Sequence, residues 1–284
     1  MFPVIKKTLV NRAATALKGL FCGFLVNKSM ISYHNIRHIS ILCCIVLTVF
    51  SFLSMKNRFQ RVFRLKIVLF TNMIFSFDIF DTVIGRRVQK PVDIFSLMST
   101  RLLAEHSEVP HGVAENFHDL RRKAEADARK ASSAEDINFD DIYDQLAQTC
   151  SLSKAQRDFL QKFEFRLELE NTRPIHTNVK QIHNLLQQGE RVIFISDMYL
   201  QSKYIKQLLS KASPVFAELP LYVSNECGLL KQTGSLFKYV LEKENIRPEK
   251  LIHRGDNPVA DLEKPRSLGI GTNFYDRSVP SHWD

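Results

Sequence analysis

FSFDIFDTVIG, residues 75–85, decides how this chain is read. An apolar run from Met73 to Phe77 leads directly into Asp78; a second carboxylate, Asp81, follows three residues later, with Thr82 behind it. A short apolar run of this kind reads as a buried strand. A strand that ends on an acid delivers it to the carboxyl edge of a sheet, where α/β folds bind their ligands. Phe80, between the two aspartates, is the residue that needs explaining.

Beyond this stretch the chain alternates. Four helical tracts come first: residues 92–106, 113–131, 138–150 and 154–172, the last ending before Pro174 because the residue preceding a proline resists helical geometry. Strands and helices then take turns. A helix over 175–188 stops at Gly189. RVIFIS (191–196) is a strand, residues 199–212 a helix, LYVS (221–224) a strand, 234–246 a helix, LIHRGD (251–256) a strand, 260–270 a short helix bent at Pro265, and GTNFY (271–275) a closing strand. Such alternation predicts an α/β fold, a Rossmann-like doubly wound parallel sheet with helices on both faces. The helical tracts after the first strand form an inserted all-helical domain. The expected division is 73–89 and 175–284 for the sheet domain and 90–174 for the insertion.

Charge is unevenly distributed. Of 39 Lys and Arg, 11 lie in residues 1–77, which contain no Asp or Glu; the remaining 28 face 30 acids. The overall charge of +9 therefore belongs to the N-terminal segment and gives the main domain no case for nucleic-acid binding. Three of the five cysteines, Cys22, Cys43 and Cys44, lie in the basic segment; the two in the rest, Cys150 and Cys227, without metal-type spacing, suggest a reducing compartment and no disulfide framework. Residues 39–53, ISILCCIVLTVFSFL, are apolar but shorter than the ~20 residues a spanning helix needs. If they form a membrane segment, Lys56, Arg58, Arg61, Arg64 and Lys66 just after them keep the following domain on the cytoplasmic side. The alternative is a start read too early, with Met55 or Met73 as the later one. A cytoplasmic main domain, membrane-associated only if 39–53 is such a segment, is expected either way. Trp283, two places from the end, hints that the natural domain continues.

Four separate pieces point to one place. Asp78 ends the first strand. Ser196, followed by Asp197, ends the second. Lys231 lies in the loop NECGLLKQTGS (225–235), and Asp256 and Asp261 lie in HRGDNPVADLEKPRSLGI (253–270). A carboxylate nucleophile, a hydroxyl, a lysine and two more carboxylates suit phosphoryl chemistry. The first forms a covalent intermediate, lysine and hydroxyl stabilise developing negative charge, and the remaining acids suit Mg²⁺.

In these motifs residues 73 to about 276 resemble the haloacid dehalogenase-like (HAD) hydrolase superfamily. Asp78 and Thr82 match its first motif, Ser196 the second, Lys231 the third, and Gly255 to Asp261, G-D-x-x-x-x-D, the fourth. FSFDIFDT, FISDMYL and the fourth stretch are similar to predicted hydrolases associated with polysaccharide glycosyltransferases. The resemblance implies a C1-type helical cap and Asp78 as nucleophile. It implies Ser196, Asp197 and Lys231 at the phosphate, with Mg²⁺ on Asp78, Asp256, Asp261 and the backbone carbonyl of Phe80. A small phosphorylated metabolite, such as a sugar phosphate, is the expected substrate.

Phe80 departs from the pattern, since phosphatases of this kind usually carry an aspartate there to protonate the leaving group. Asp81 replaces it only if the strand has unwound by that point, because one residue along a strand reverses side-chain direction. Two other readings follow from Phe80: a phosphate-binding module without turnover, and a carbon–halogen hydrolase. Arg86 and Arg87 read as solvated or as meeting an anionic substrate; Arg121, Arg122 and Glu125 read as the solvated face of a cap helix. His253, inside a strand, reads as a core residue.

Overall fold

The computed structural model describes residues 73–276. The N-terminal segment with its apolar stretch 39–53, and Trp283, lie outside the described residues. Among the described residues no helix is long and apolar enough to cross a membrane.

The sheet is built around the opening stretch. Strand β1 (Ile74–Phe77) is central, and the strand order is β5-β4-β1-β6-β7 with every pairing parallel. The partners are β4 (Arg191–Ser196), β5 (Leu221–Val223), β6 (Leu251–Gly255) and β7 (Gly271–Phe274). Side chains alternate across a strand, so the unbroken apolar run of β4 must serve two faces. Val192 and Phe194 join one hydrophobic cluster, with Ile182 of helix α6 (His176–Gln187) and Ile205 and Leu208 of α7 (Ser202–Ala212). Ile193 and Ile195 join a second, with Leu236, Phe237 and Val240. Helices cover both faces, and the sheet is doubly wound.

A two-stranded antiparallel ribbon that the sequence did not announce follows β1. Strand β2 (Ile84–Arg86) pairs with β3 (Thr172–Pro174), Gly85 opposite Arg173. Between its strands lie five helices where four were expected: α1 (Asp93–Glu105), α2 (His111–Glu115), α3 (Phe117–Ala131), α4 (Phe139–Cys150) and α5 (Lys154–Asn171). The second expected helix is split at Asn116, whose side-chain amide donates to the carbonyl of Gly112 (2.9 Å). Asparagine competes for backbone partners in this way and favours helix ends. Helices α4 and α5 begin at full capping boxes, Asn138 with Asp141 and Ser153 with Gln156. The continuous cluster that holds α6 and α7 also holds Leu160, Phe163 and Leu167 of α5, so cap and sheet domain share one core.

After β5 come α8 (Ser224–Cys227) and α9 (Ser235–Lys243). The helix expected over 260–270 is instead a wide π-type turn, Pro258–Glu263, followed by α10 (Lys264–Ser267). Pro265 sits in the first turn of α10, where its missing N–H costs nothing.

Candidate active site

Register brings the motif residues to one rim. Phe77 stands level with Phe194 on β4 and Arg254 on β6. Asp78, Ser196 and Asp256 therefore emerge side by side. The Asp78 N–H donates to the carbonyl of Arg254 (2.8 Å), extending the ladder to the acid itself.

Lys231 lies at the centre of the charge arrangement. Its side chain is buried, and Nζ donates to Asp78 Oδ1 (2.6 Å) and to Asp261 Oδ1 (2.7 Å). Burial works against its charge, but Asp78, Asp261 and Asp197 outweigh that and raise its pKa above the ordinary lysine value. Asp78 moves the other way from its usual range. Burial is the main cause and lifts its pKa; Lys231 opposes the shift, and Asp261 and Asp256 add to it by like-charge repulsion.

Asp261 is held from three sides. Besides Lys231, it accepts from the Asn257 N–H (2.9 Å), and its Oδ1 lies 3.0 Å from His253 Nε2. Burial would raise its pKa, but Lys231 and His253 reverse that and hold it below the carboxylate range. His253 is buried in β6, as expected of a core residue, with Nδ1 2.8 Å from the hydroxyl of Ser76 on β1. Burial lowers its pKa, and the Asp261 carboxylate opposes that shift. Gly255 makes this packing feasible: a Cβ there would lie 2.3 Å from the Asp261 carboxyl group.

Asp256 is only partly buried and accepts from the Thr82 hydroxyl (3.1 Å). One oxygen each from Asp78, Asp256 and Asp261 falls within 4.8 Å of the others. Three carboxylates so close together are the hard-oxygen donor set that suits Mg²⁺. Ser196, 1% exposed at the end of β4, has a hydroxyl without a hydrogen-bond partner. Buried polar atoms are rarely left so, and an orphan at a strand-end site marks a place for a ligand.

Asp197 does not cap the following helix: its carboxylate accepts from the backbone N–H of Lys231 (2.8 and 3.1 Å), and α7, with Gln201 at its N-cap position, has no side-chain cap. It fixes the loop that carries the lysine.

At Asp81 the strand has unwound: φ is 59°, and its N–H donates to the Ile84 carbonyl (2.7 Å). The residue lines a cleft of about 340 Å³ at the neck of the cap, with Arg86, Arg87 and Arg173. Phe80 is part of the neck as well. The guanidinium of Arg86 lies 4.7 Å from the centre of its ring, and the same arginine pairs with buried Glu168 of α5 at 2.9 Å. The aromatic ring thus ties the turn after Asp78 to the cap, and Arg86 is no solvated arginine.

Arg121 corrects the reading of the cap face. It is fully buried, with a bidentate pair to Glu164 (2.7 and 3.1 Å) and a third bond to Glu125 (3.0 Å). Tyr143 and Tyr199 both donate to Glu164 (2.6 and 3.1 Å). Phe117, Arg121, Ala124 and Ala128 form the buried stripe of α3. That spacing was the signal: the arginine sits among the apolar positions of the helix.

No family model and no curated protein matches the chain. Similar solved structures include a HAD-family enzyme from Bacteroides thetaiotaomicron in complex with magnesium and inorganic phosphate (14% identity, 75% of this chain and 97% of that chain, TM-score 0.48). A 2-haloacid dehalogenase from Pseudomonas syringae pv. Tomato DC3000 (14%, 72% and 86%, 0.48) is another. A third is a haloacid dehalogenase-like family hydrolase from Xanthomonas campestris (13%, 75% and 84%, 0.48). At these identities and TM-scores nothing about the reaction of this chain follows from them. The parallel order β5-β4-β1-β6-β7, the helical insertion between β1 and β4 and the motif positions gathered on one rim form a doubly wound, Rossmann-like α/β fold with an inserted helical domain, the arrangement that the resemblance to haloacid dehalogenase-like hydrolases implies.

Proposed function

We propose that the chain is a Mg²⁺-dependent phosphomonoester hydrolase working through an aspartyl-phosphate on Asp78, with a small phosphorylated metabolite, such as a sugar phosphate, as substrate. One observation carries this reading. A carboxylate at the end of the central strand is bonded to a buried lysine, within 4.8 Å of two more carboxylates and beside a buried hydroxyl without a partner.

The residues divide the work as follows. An Asp78 carboxylate oxygen attacks phosphorus, the bond to the ester oxygen breaks, and the leaving group departs with the electron pair and takes its proton from solvent. Water then attacks phosphorus, restoring Asp78 and releasing inorganic phosphate. Lys231 and Ser196 hold the phosphoryl oxygens, Thr82 orients Asp256, and Asp261 and Asp197 place Lys231 by its Nζ and its backbone N–H. Asp78, Asp256, Asp261 and the Phe80 carbonyl would hold Mg²⁺, which supplies positive charge against the phosphoryl oxygens and the crowded carboxylates.

Phe80 offers no proton, so general acid–base help, worth about 10² to 10⁴ in rate, is missing from its usual place. This favours a second reading, a phosphate-binding module that turns substrate over little or not at all. A carbon–halogen hydrolase agrees with Phe80 but leaves the three-carboxylate cluster without a use.

The test is phosphate release by the full chain from a panel of sugar phosphates and an aryl phosphate, with Mg²⁺ or chelator, beside Asp78→Asn. Mg²⁺-dependent release that the variant lacks is the expected result. Phosphate and Mg²⁺ binding without release would replace the hydrolase with the binding module. Metal-independent halide release from a 2-haloacid would replace both.

A further inference from the structure

The short loop between α3 and α4, residues 132–138, belongs to the cap, yet its two acids are bonded to the sheet domain. The Glu135 carboxylate accepts from the backbone N–H of Leu230 (2.8 Å) and from the hydroxyls of Thr233 (2.7 Å) and Ser235 (2.6 Å). The Glu135 N–H donates to the Gly228 carbonyl (3.3 Å). Asp136 is buried and accepts at Oδ2 from the Ser224 hydroxyl, and the Ser224 oxygen in turn accepts from the Met198 N–H (2.9 Å). The other Asp136 oxygen takes Arg129 Nη1 (2.6 Å) and the Ile137 N–H (2.9 Å).

These partners lie on two particular segments. Leu230, Thr233 and Ser235 flank Lys231, and Met198 lies two residues after Ser196. From the sheet side, Asp197 holds the Lys231 N–H. The loop carrying the lysine is thus gripped by consecutive backbone amides, Leu230 by a cap carboxylate and Lys231 by a core carboxylate. Hydrogen bonds to ionised acceptors are shorter and stronger than neutral ones. When the cap shifts, Leu230 loses its charged acceptor and keeps only the longer bond to the Ser235 hydroxyl (3.1 Å), and Ser224 loses Asp136.

We infer that Glu135 and Asp136 are positioning residues that make the placement of Lys231, and with it affinity for the phosphoryl group, depend on the cap being seated. The cap then acts on the reaction centre through the backbone of the lysine loop as well as by covering it. The phosphoryl part rests on the hydrolase reading above; the positional part does not.

The experiment uses the full chain and the variants Glu135→Ala, Glu135→Gln, Asp136→Ala and Asp136→Asn. Amide hydrogen exchange is measured at Leu230, Lys231 and Met198, and inorganic phosphate binding is measured with Mg²⁺ present. Glu135→Ala is expected to speed exchange at Leu230 and Lys231 about tenfold or more and to weaken phosphate binding by a similar factor. Amides of the central sheet should exchange at the wild-type rate. Gln and Asn retain an acceptor oxygen, so the conservative variants should recover most of both properties. Unchanged exchange at Leu230 and Lys231 in both alanine variants overturns the inference. So does faster exchange spread evenly over the sheet, which marks plain destabilisation. If the wild type binds no phosphate, the hydrolase reading falls, and the exchange rates alone still decide the brace.

Discussion

Two of the buried charge clusters among the described residues differ in how their charge is satisfied. In the cap, Glu164 receives four hydrogen bonds, two from Arg121 and one each from Tyr143 and Tyr199. Arg121 is further enclosed by the rings of Phe95 (4.7 Å) and Tyr199 (4.9 Å). At the rim of the sheet, Lys231 faces Asp78, Asp261 and the nearby Asp256, carboxylates outnumber the cation, and a buried hydroxyl stands without a partner. Cap charges are saturated and the rim charges are not. A saturated buried network holds a structure together, whereas an unsaturated one stores binding capacity at a cost in stability.

The largest expected effect sharpens this contrast. Asp78→Asn should reduce Mg²⁺-dependent release from an aryl phosphate by at least about 10⁴-fold. The same variant should unfold at equal or higher urea concentration than wild type, because it removes a carboxylate that burial and its neighbours disfavour. A marked drop in the urea midpoint would show that Asp78 serves the structure as Glu164 does. In the cap the prediction reverses. Arg121→Met should cost about 3–5 kcal/mol, since it leaves Glu164 buried without its cation, and adding Glu164→Leu should restore most of that loss. Urea unfolding of the single and double variants checks it, and a neutral Arg121→Met would erase the difference between the two clusters.

Next comes the missing proton donor. Phe80→Asp is expected to raise turnover of alkyl phosphates by up to about 10² and that of aryl phosphates less, because a good leaving group needs little help. The variant should also lose about 1 kcal/mol with the Arg86 contact. Equal kcat with both substrate types would remove Phe80 as the reason for slow chemistry. Mg²⁺ offers a gentler probe. At a hundred times its dissociation constant it should stabilise wild type by about 2.7 kcal/mol, and Asp256→Ala should abolish the shift while Arg121→Met leaves it intact. Thermal unfolding with and without the ion reads this directly.

The smallest effect concerns a surface pair outside both clusters. Arg191 forms a bidentate contact with Glu244 (2.8 and 2.9 Å), and Tyr222 donates to the same carboxylate (2.7 Å). Burial alone would raise the Glu244 pKa, but the bonds from Arg191 and Tyr222 outweigh it and lower it. A depressed carboxylate stabilises the fold above its unfolded pKa and loses that contribution as pH falls through the folded one. Arg191→Gln should therefore cost under about 1 kcal/mol at neutral pH, and the difference from wild type should begin to shrink as pH falls below the ordinary glutamate value of about 4.3 and vanish once pH is below the lowered folded value. A difference that persists in acid would assign the effect to packing.

What the sequence disclosed follows the range of each interaction. An unbroken apolar run made RVIFIS a buried strand, and the four motif pieces could be set on strand ends and loops because those are local features. Longer-range facts were hidden. The partner of Arg121 lies 43 residues away on another helix. β2 and β3 are three residues each, too short to show alternation, and they pair across the whole cap. The bond between Asp197 and the backbone N–H of Lys231, 34 residues on, has no local signature. The split at Asn116 turns on one side-chain bond that competes with an otherwise helical pattern.

The central position of β1 has a consequence for how the chain is made. Its two neighbours, β4 and β6, begin more than a hundred residues later in the sequence. Ribosomes add about 5–20 residues per second, so the strand that ends on Asp78 is synthesised on the order of ten seconds before its first partner. The cap helices, whose contacts are mostly local, can form in that interval; the strand cannot pair. During synthesis IFSF is an unpaired apolar strand, the kind of segment that chaperones shield, and release of the polypeptide before β4 emerges leaves β1 without a sheet to join.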